Sequence, residues 1–274
     1  MLHTIRDWDD AYANGPNIPG GERWPGLWVG PAEAYRNAML AEQRALLDIA
    51  YGDKPRHRLD LFMPRERARG LVVFVHGGYW MRLDKSFWSH LAEGAVARGY
   101  AVAMPSYTLC PDVGIADITA EVGRAIARAM DEVEGPVALT GHSAGGHLVT
   151  RMVCTTAPLS AAQQKRIAKV VSISGLHDLR PLLKTAMNQT LRLDDRLARD
   201  ESPALLAPVE GARVVAWVGG AERAEFRRQA QLLANIWMGL GAATDTVEMR
   251  DRHHFDVIDD LGDPGSALVE ALLS

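Results

Sequence analysis

Seven short runs of apolar residues alternate along this chain with segments in which apolar residues recur at helical spacing. The central runs are continuously apolar, which is typical of strands buried on both faces of a sheet. Strands that alternate with helices favour right-handed crossovers and a mostly parallel sheet. The sequence therefore predicts an α/β fold with helices on both faces. The predicted strands are residues 58–63, 71–75, 100–104, 137–140, 170–174, 213–218 and 244–249.

The segments between these strands define the predicted organisation. The sequence predicts helices over residues 32–47, 86–98, 115–133, 146–153, 223–238 and 265–272. Residues 14–31 are rich in Gly, Pro and Trp and are expected to be irregular. Residues 176–207 interrupt the alternation with a longer, mostly helical insertion. No long linker divides the chain, so we expect a single domain over residues 1–274, with small cap elements at about 1–47 and 176–207.

The composition limits the classes of protein to consider. With 47% apolar and 23% charged residues, the 274-residue chain has enough apolar material for a sizeable core. The net charge of −4 gives no indication of a nucleic-acid or anionic-membrane partner. We therefore expect a small-molecule partner, no nucleic acid and no membrane. The sequence does not specify an oligomeric state and leaves a homodimer open.

Cysteine usage and the apolar segments indicate a compartment. Cys110 and Cys154 are the two cysteines of the chain, too few for a disulfide framework, and we expect both to be reduced. Residues 1–10 lack the apolar region of a signal peptide. The apolar runs are far shorter than a membrane span. These features predict a cytoplasmic protein.

Residues 141–145, Gly-His-Ser-Ala-Gly, have the pattern G-x-S-x-G. They follow the predicted strand 137–140 and precede the predicted helix 146–153. A serine on such a sharp turn projects its hydroxyl away from the sheet, and the flanking glycines avoid clashes in the strained backbone. Because this context accompanies the pattern, Ser143 is the candidate nucleophile.

A serine hydroxyl needs a base to take its proton and an acid to orient that base. In folds with this turn, the partners follow in the chain order serine, acid, histidine, on loops after later strands. Glu222 is the first carboxylate after the predicted strand 213–218, and Glu225 is the next. Glu222 is favoured because Glu225 is expected to lie within the following helix. Asp178, after the preceding strand, is the main alternative.

The candidate base comes from the segment after the last predicted strand, where two histidines are adjacent. Both cannot face the same serine. His254, followed by Phe255, is the preferred base, and His253 is expected to be a neighbour that supports it or faces solvent. A neutral imidazole that acts near pH 7 is what the chemistry requires.

Acyl transfer also requires hydrogen-bond donors directed at the oxyanion. The backbone N–H of Ala144, directly after the nucleophile, is one candidate. Others are expected from Gly77 and Gly78, in the His-Gly-Gly-Tyr-Trp segment 76–80 that follows the strand 71–75. Glycines allow the backbone to approach a substrate closely.

The segments near these candidate residues also contain aromatic residues and histidines of the kinds that bind ligands or metals. Tyr79 and Trp80 are candidate walls for an aromatic leaving group, and Trp88 is a weaker candidate, since aromatic residues often belong to the core. The histidine spacings match no common metal-ligand pattern, and residues 141–146 lack the features of a phosphate-binding loop. The sequence therefore predicts no metal and no cofactor.

Together these residues resemble a known family. Segments 76–80, 141–148 and 254–255 are similar to those of the arylformamidases, or kynurenine formamidases, of the α/β-hydrolase superfamily. Segments 48–52, 174–182 and 225–229 are also similar, so the resemblance covers almost the whole chain. It implies an α/β-hydrolase fold, a mostly parallel central sheet with a small helical cap.

The resemblance also implies an activity, the hydrolysis of N-formylkynurenine to kynurenine and formate. By position, Ser143 is the nucleophile, His254 the base, and Gly77, Gly78 and Ala144 line the oxyanion hole. Glu222 stands where many members carry Asp. Two alternatives stay open: a general short-chain carboxylesterase or thioesterase with the same chemistry, and a non-catalytic binding protein on the same fold.

Overall fold

A single sheet of eight strands forms the centre of the molecule in the computed structural model, which describes residues 4–274. The strands are β1 (Ala45–Ala50), β2 (Arg58–Phe62), β3 (Leu71–Val75), β4 (Ala101–Pro105), β5 (Val137–His142), β6 (Ile167–Ile173), β7 (Arg213–Gly219) and β8 (Ala243–Met249). Their order across the sheet is β1-β2-β4-β3-β5-β6-β7-β8. The pairs β1–β2 and β2–β4 are antiparallel, and all other neighbours are parallel. The mostly parallel sheet confirms the predicted fold class.

Ten helices surround the sheet in the described part of the chain. They are α1 (Trp8–Tyr12), α2 (Trp24–Ala41), α3 (Glu93–Ala97), α4 (Ile115–Glu132), α5 (Ala144–Arg151), α6 (Ala161–Arg166), α7 (Asn188–Leu191), α8 (Asp195–Asp200), α9 (Ala224–Gly239) and α10 (Ala267–Leu273). Short 3₁₀ turns lie at Gly15–Asn17, Gly21–Arg23, Lys85–Phe87, Ser89–Ala92, Arg180–Lys184, Pro203–Leu205 and Asp259–Gly262. Among residues 4–274, no helix is both long enough and apolar enough to cross a bilayer.

The sheet separates two apolar cores, and strand β3 contributes to both. Leu71, Val73 and Val75 pack on one face with residues of α4, α5 and α9. Val72 and Phe74 pack on the other face with residues of α2, α3 and α10. Side chains of a strand alternate between faces, so a strand buried on both sides must be apolar at every position. This explains the continuous apolar run that identified β3 in the sequence.

The N-terminal part of the chain differs from the prediction. Helix α2 begins at Trp24 and ends at Ala41, whereas residues 14–31 were expected to be irregular and residues 32–47 helical. The buried side chains Trp28, Ala32 and Met39 lie on one face of α2. Burial of this face outweighs the poor helix propensity of Pro31, which lies inside the helix. Residues 1–3 of the predicted cap element 1–47 lie outside the described residues.

Strand β1 was missed in the sequence. It is an edge strand that pairs with β2 alone, and its register shifts between Leu46 and Ile49. Asp48 at this irregularity has a left-handed backbone, with φ of 56°. An edge strand with one buried face and a bulge lacks the continuous apolar run that marks the central strands.

The insertion between β6 and β7 contains α7, α8 and two 3₁₀ turns, and a buried ion pair ties its end to α5. Glu201 Oε2 accepts hydrogen bonds from Arg151 Nε at 3.1 Å and from Thr119 Oγ1 at 2.7 Å. The backbone carbonyl of Glu201 also accepts from His147 Nε2 at 2.7 Å. These contacts fix the helix that directly follows the candidate nucleophile.

Candidate active site

Ser143 lies at the turn between β5 and α5, with φ of 56° and ψ of −117°. This left-handed backbone is rare for a residue with a side chain. The turn requires its glycines, because a Cβ on Gly145 would overlap the carbonyl oxygen of Val75. The Ser143 N–H donates to the carbonyl oxygen of Ile173 at 2.8 Å, which ties the strained residue to the neighbouring strand. The resulting geometry is that of a nucleophile elbow.

The side chains of Glu222 and His254 are in direct contact. Glu222 Oε2 lies 2.6 Å from His254 Nδ1, and both side chains are buried. Glu222 Oε1 accepts from Ser174 Oγ at 2.5 Å and from the Gly219 N–H at 2.8 Å. A carboxylate acceptor at Nδ1 places the hydrogen of a neutral imidazole on that nitrogen. His254 Nε2 is then free to accept a proton.

The other two carboxylates considered from the sequence have different partners. Both oxygens of Asp178 accept from Arg180, at 2.9 Å from Nε and 2.8 Å from Nη2. Burial raises the pKa of the Asp178 carboxyl, but these hydrogen bonds outweigh it, and the net pKa is below the ordinary value. Glu225 accepts from Arg228 and from the hydroxyl of Tyr12. Of these three carboxylates, Glu222 is the one in contact with His254.

Neighbouring side chains hold His254 in place. His142 Nε2 donates to the backbone carbonyl of His254 at 2.8 Å, and the two rings lie 4.5 Å apart between centroids. Burial, followed by the neighbouring imidazole of His254, lowers the pKa of His142 well below its ordinary value, so His142 is neutral. The ring of Phe226 lies 4.5 Å from that of His254. His253 instead contacts Asp256 and packs edge-on against Trp24 at 5.0 Å, outside the cavity lining.

The loop after β3 brings its glycines next to the elbow. A Cβ on Gly77 would lie 2.8 Å from the carbonyl oxygen of His142 and 3.1 Å from Cβ of Ser143. Gly78 has φ of 110° and lines the same cavity as Ser143. Among residues 4–274, the N–H groups of Gly77, Gly78 and Ala144 have no backbone acceptor. Unpaired N–H groups beside a serine are what an oxyanion hole requires.

The two aromatic residues of this loop occupy different environments. Tyr79 lines the cavity, and its hydroxyl donates to the carbonyl oxygen of Tyr12 at 2.5 Å. Trp80 is 0% exposed and packs edge-on against His147 at 5.2 Å. Trp80 is not part of the cavity lining, so its placement does not support the predicted substrate contact. Trp88, the weaker candidate, does line the cavity.

Ser143 and His254 open into a cavity of about 660 Å³. The insertion contributes one lining residue, Met187, whereas the N-terminal segment supplies most of one wall. These N-terminal residues are Asp9, Tyr12, Ala13, Asn14, Gly15, Pro16, Gly21, Glu22, Pro25 and Trp28. None of these residues, nor Arg82 and Phe255, was predicted from the sequence as a site residue. Trp24 and Trp28 are four residues apart, and this spacing in the sequence indicates an aromatic face on a helix.

Side-chain contacts fasten this wall to the rest of the molecule. The Tyr12 hydroxyl donates to Glu225 Oε2 at 2.8 Å and accepts from Gln229 Nε2 at 3.2 Å. Asp10 forms an ion pair with Arg223. All three partners belong to α9 or to the residue that precedes it.

Within residues 4–274, no group of three or more His, Cys, Asp and Glu side chains is arranged to hold a metal ion.

Comparison with known proteins shows which family the chain resembles. The model of the Alpha/beta hydrolase family matches residues 72–269. A kynurenine formamidase of Danio rerio is 27% identical over 84% of this chain and 81% of its own length, and one of Salmo salar is 28% identical over the same shares. A crystal structure from Silicibacter sp. TM1040, named as a candidate thioesterase, is 48% identical, with a TM-score of 0.93 over 98% of this chain and 99% of that chain.

The family model covers more than half of the chain, and its matched range contains Ser143, Glu222 and His254. The similarity to the formamidases extends further, over most of the chain. The chain therefore belongs to the alpha/beta hydrolase family, as a hydrolase similar to the kynurenine formamidases over most of its length.

Proposed function

We propose that this hydrolase is an arylformamidase that cleaves N-formylkynurenine to kynurenine and formate, with Ser143, His254 and Glu222 as its catalytic triad. The observation that carries the proposal is the 2.6 Å contact of Glu222 Oε2 with His254 Nδ1, on a histidine that shares a cavity with Ser143. The similarity to kynurenine formamidases over 84% of the chain supports this choice of substrate.

The first half of the reaction forms an acyl-enzyme. His254 Nε2 takes the hydroxyl proton of Ser143 while Oγ attacks the formyl carbon. The oxyanion that develops is bound by the N–H groups of Gly77, Gly78 and Ala144. The C–N bond then breaks, and the departing amine takes the proton from His254 Nε2. Glu222 stabilises the imidazolium throughout and keeps the imidazole hydrogen on Nδ1.

The second half releases formate. Water enters, gives a proton to His254 Nε2 and attacks the formyl carbon of the acyl-enzyme. The same N–H groups bind the second oxyanion. Its collapse breaks the bond to Ser143 Oγ, which recovers the proton from His254.

The cavity walls suit an aromatic leaving group. Trp28 and Trp88 lie 5.0 Å apart between ring centroids, and Phe255 packs at right angles to Trp28 at 5.7 Å. All three line the cavity beside His254. Flat apolar side chains of this kind favour binding of an arylamine.

A thioesterase or short-chain carboxylesterase is the second candidate function. The 48% identical structure that is named as a candidate thioesterase favours it. The triad chemistry is the same for an amide, an ester and a thioester, because all three pass through an oxyanion. The two candidates therefore differ in the group that leaves.

The test is kcat/KM for N-formylkynurenine, p-nitrophenyl acetate, p-nitrophenyl butyrate and a short acyl thioester, measured for wild type and Ser143→Ala. The proposal predicts a clear preference for the formyl amide and a loss of roughly 10³-fold or more in kcat in the variant. Ester or thioester turnover without formamide turnover would favour the second candidate. Near wild-type activity of Ser143→Ala would exclude Ser143 as nucleophile.

A further inference from the structure

Asn14 lies in the N-terminal wall of the cavity. Its side-chain NH₂ group has a hydrogen-bond partner, whereas its side-chain oxygen has none among residues 4–274. Asn14 is 6% exposed, and its Nδ2 donates to the Tyr79 hydroxyl at 3.3 Å. The Tyr79 hydroxyl donates its one hydrogen to the carbonyl oxygen of Tyr12. Tyr79 must therefore accept from Asn14, which fixes the orientation of the amide. Asn14 Oδ1 has no hydrogen-bond partner among residues 4–274.

A buried acceptor without a partner costs free energy, and such groups in folded proteins call for an explanation. Asn14 lines the cavity that contains Ser143 and His254. Oδ1 is covered in this structure, so a ligand N–H group would satisfy this acceptor once the Asn14 amide shifts towards the cavity. The amide thus selects for a hydrogen-bond donor on the bound molecule.

Arg82 lines the same cavity and brings an unpaired positive charge to it. Its side chain is exposed, and none of the side-chain hydrogen bonds and ion pairs of residues 4–274 involves its guanidinium. A Cβ on Gly78 would lie 3.4 Å from Arg82 Cγ, so the arginine stem runs beside the loop that carries the unpaired N–H groups. Within the described lining, Arg82 is the one lysine or arginine. A guanidinium is well suited to a carboxylate.

The lining also contains two carboxylates, both in the N-terminal wall. Asp9 Oδ1 accepts from the backbone N–H of Ala186 at 2.6 Å, and Glu22 is an exposed neighbour of Arg23. The cavity therefore presents both signs of charge. Such a surface favours a ligand that carries both an ammonium and a carboxylate over a simple anion.

We propose that Arg82 and Asn14 form a subsite for the amino-acid end of the substrate, in which Arg82 binds the α-carboxylate and Asn14 Oδ1 accepts from the α-ammonium. This inference rests on the proposed arylformamidase function and assigns two residues that recognise the amino-acid end of its substrate. The reacting formyl group lies at Ser143, and the aryl ring lies between the polar subsite and the elbow.

Formyl-amide turnover provides the first test. N-formylkynurenine is compared with its α-carboxamide, its desamino analogue and 2-formamidoacetophenone, which lacks both charged groups. For Arg82→Gln, the preference for N-formylkynurenine over the α-carboxamide falls about tenfold through KM, because a charge-assisted hydrogen bond is lost from a partly exposed site. Arg82→Lys retains part of the preference. Asn14→Ala lowers the preference for N-formylkynurenine over its desamino analogue.

Arg124→Gln is the matched control, since it removes the same charge from an exposed position on α4 outside the cavity lining. Wild-type KM for N-formylkynurenine rises with ionic strength, and this dependence weakens in Arg82→Gln but not in Arg124→Gln. Equal substrate preferences in Arg82→Gln and Arg124→Gln would overturn the subsite while leaving the arylformamidase function in place.

Inhibition separates the subsite from the reaction. Kynurenine inhibits turnover of p-nitrophenyl acetate by wild type, and its inhibition constant rises about tenfold in Arg82→Gln. The constant for 2-aminoacetophenone, which has no α-amino acid, changes much less. If wild type cleaved none of the formamides but kynurenine inhibition depended on Arg82, the proposed function would be wrong and the subsite would stand. Absence of kynurenine inhibition, or inhibition that is equal in both proteins, would overturn the subsite.

Discussion

The hydroxyl of Ser174 donates to Oε1 of Glu222 at 2.5 Å. Ser174 follows β6 and has a left-handed backbone, with φ of 52°, while Glu222 lies in the turn after β7. The Gly219 N–H donates to the same carboxylate oxygen. Two donors on one oxygen direct the other oxygen to His254. A glutamate has one more rotatable bond than an aspartate, and this pair of hydrogen bonds removes that freedom.

We expect Ser174→Ala to lower kcat about tenfold with little change in KM, because Glu222 loses one of the two donors that position it. A buried hydrogen bond to a charged group contributes about 1.5–3 kcal/mol, and the remaining Gly219 contact preserves part of the geometry. Steady-state kinetics of the variant measure the effect. Ser172→Ala is the matched control, since that buried serine of β6 faces His177 instead. Equal losses in both variants would show that the Ser174 hydroxyl has no specific role.

Replacement of Glu222 by glutamine should be far more damaging than replacement of Asp178 by asparagine. The Gly219 N–H requires an acceptor, so the amide oxygen of a glutamine would face Gly219 and its NH₂ group would face His254 Nδ1. The imidazole hydrogen would then move to Nε2, the nitrogen that accepts the proton of Ser143 in the proposed mechanism. We expect kcat to fall by roughly 10³- to 10⁴-fold, as for the equivalent change in serine proteases.

Asp178→Asn weakens a contact with Arg180, whose side chain is 41% exposed, and should change kcat little. Kinetics of the two variants, with circular dichroism to check folding, make the comparison. A larger loss in Asp178→Asn would show that Asp178 is the acid and that the Glu222 assignment is wrong.

The strands beside Ser143 were predictable from the sequence because burial on both faces of the sheet restricts which residues they can contain. A strand covered on both faces must be apolar throughout, so β3 and β5 coincide with their predicted ranges to within two residues. The carboxyl ends of the parallel strands meet at one edge of the sheet, so the loops after β5, β7 and β8 bring Ser143, Glu222 and His254 together. Glu222 and His254 could therefore be named as the candidate acid and base from their positions after the last two strands, with Asp178 as the alternative acid.

The N-terminal wall could not be derived in the same way. Its residues 14–28 lack a clear period, and Pro31 lies in the interior of the helix that actually begins at Trp24, where proline is unfavourable. This segment is positioned by contacts such as that of Tyr12 with Glu225, which are 213 residues apart in sequence. A single chain without this pairing information does not reveal which irregular segment covers the cavity.

The backbone of Ser143 should store measurable strain. At φ of 56° and ψ of −117° a Cβ is unfavourable, and such residues cost about 1–3 kcal/mol. Ser143→Gly removes this cost but adds about 0.5–1 kcal/mol of unfolded-state entropy relative to Ser143→Ala. We expect the glycine variant to be the more stable of the two inactive proteins by about 1 kcal/mol, measured by urea unfolding. An alanine variant of equal or higher stability would contradict strain at the elbow.

Acid should destabilise the fold through histidines that are buried in the neutral form. Burial lowers the pKa of His76 and of His147 to about 4, against an ordinary value of 6.5. Between these pH values the unfolded chain binds more protons than the folded protein, so stability increases with pH. The contribution is fully present above pH 6.5 and is lost as the pH falls to about 4. Each histidine contributes roughly 3 kcal/mol to this pH-dependent part of the free energy of unfolding.

His147→Gln isolates one of these contributions. Glutamine can keep an N–H donor for the carbonyl oxygen of Glu201 but does not titrate. Asp259, whose pKa burial raises to about 6, acts in the opposite direction in this range, but it is common to both proteins and cancels in the comparison. Urea unfolding at pH 5, 6 and 7 should give a shallower pH dependence in the variant, by up to about 1.4 kcal/mol per pH unit. Parallel curves for the two proteins would mean that His147 is not held neutral by its burial behind the elbow.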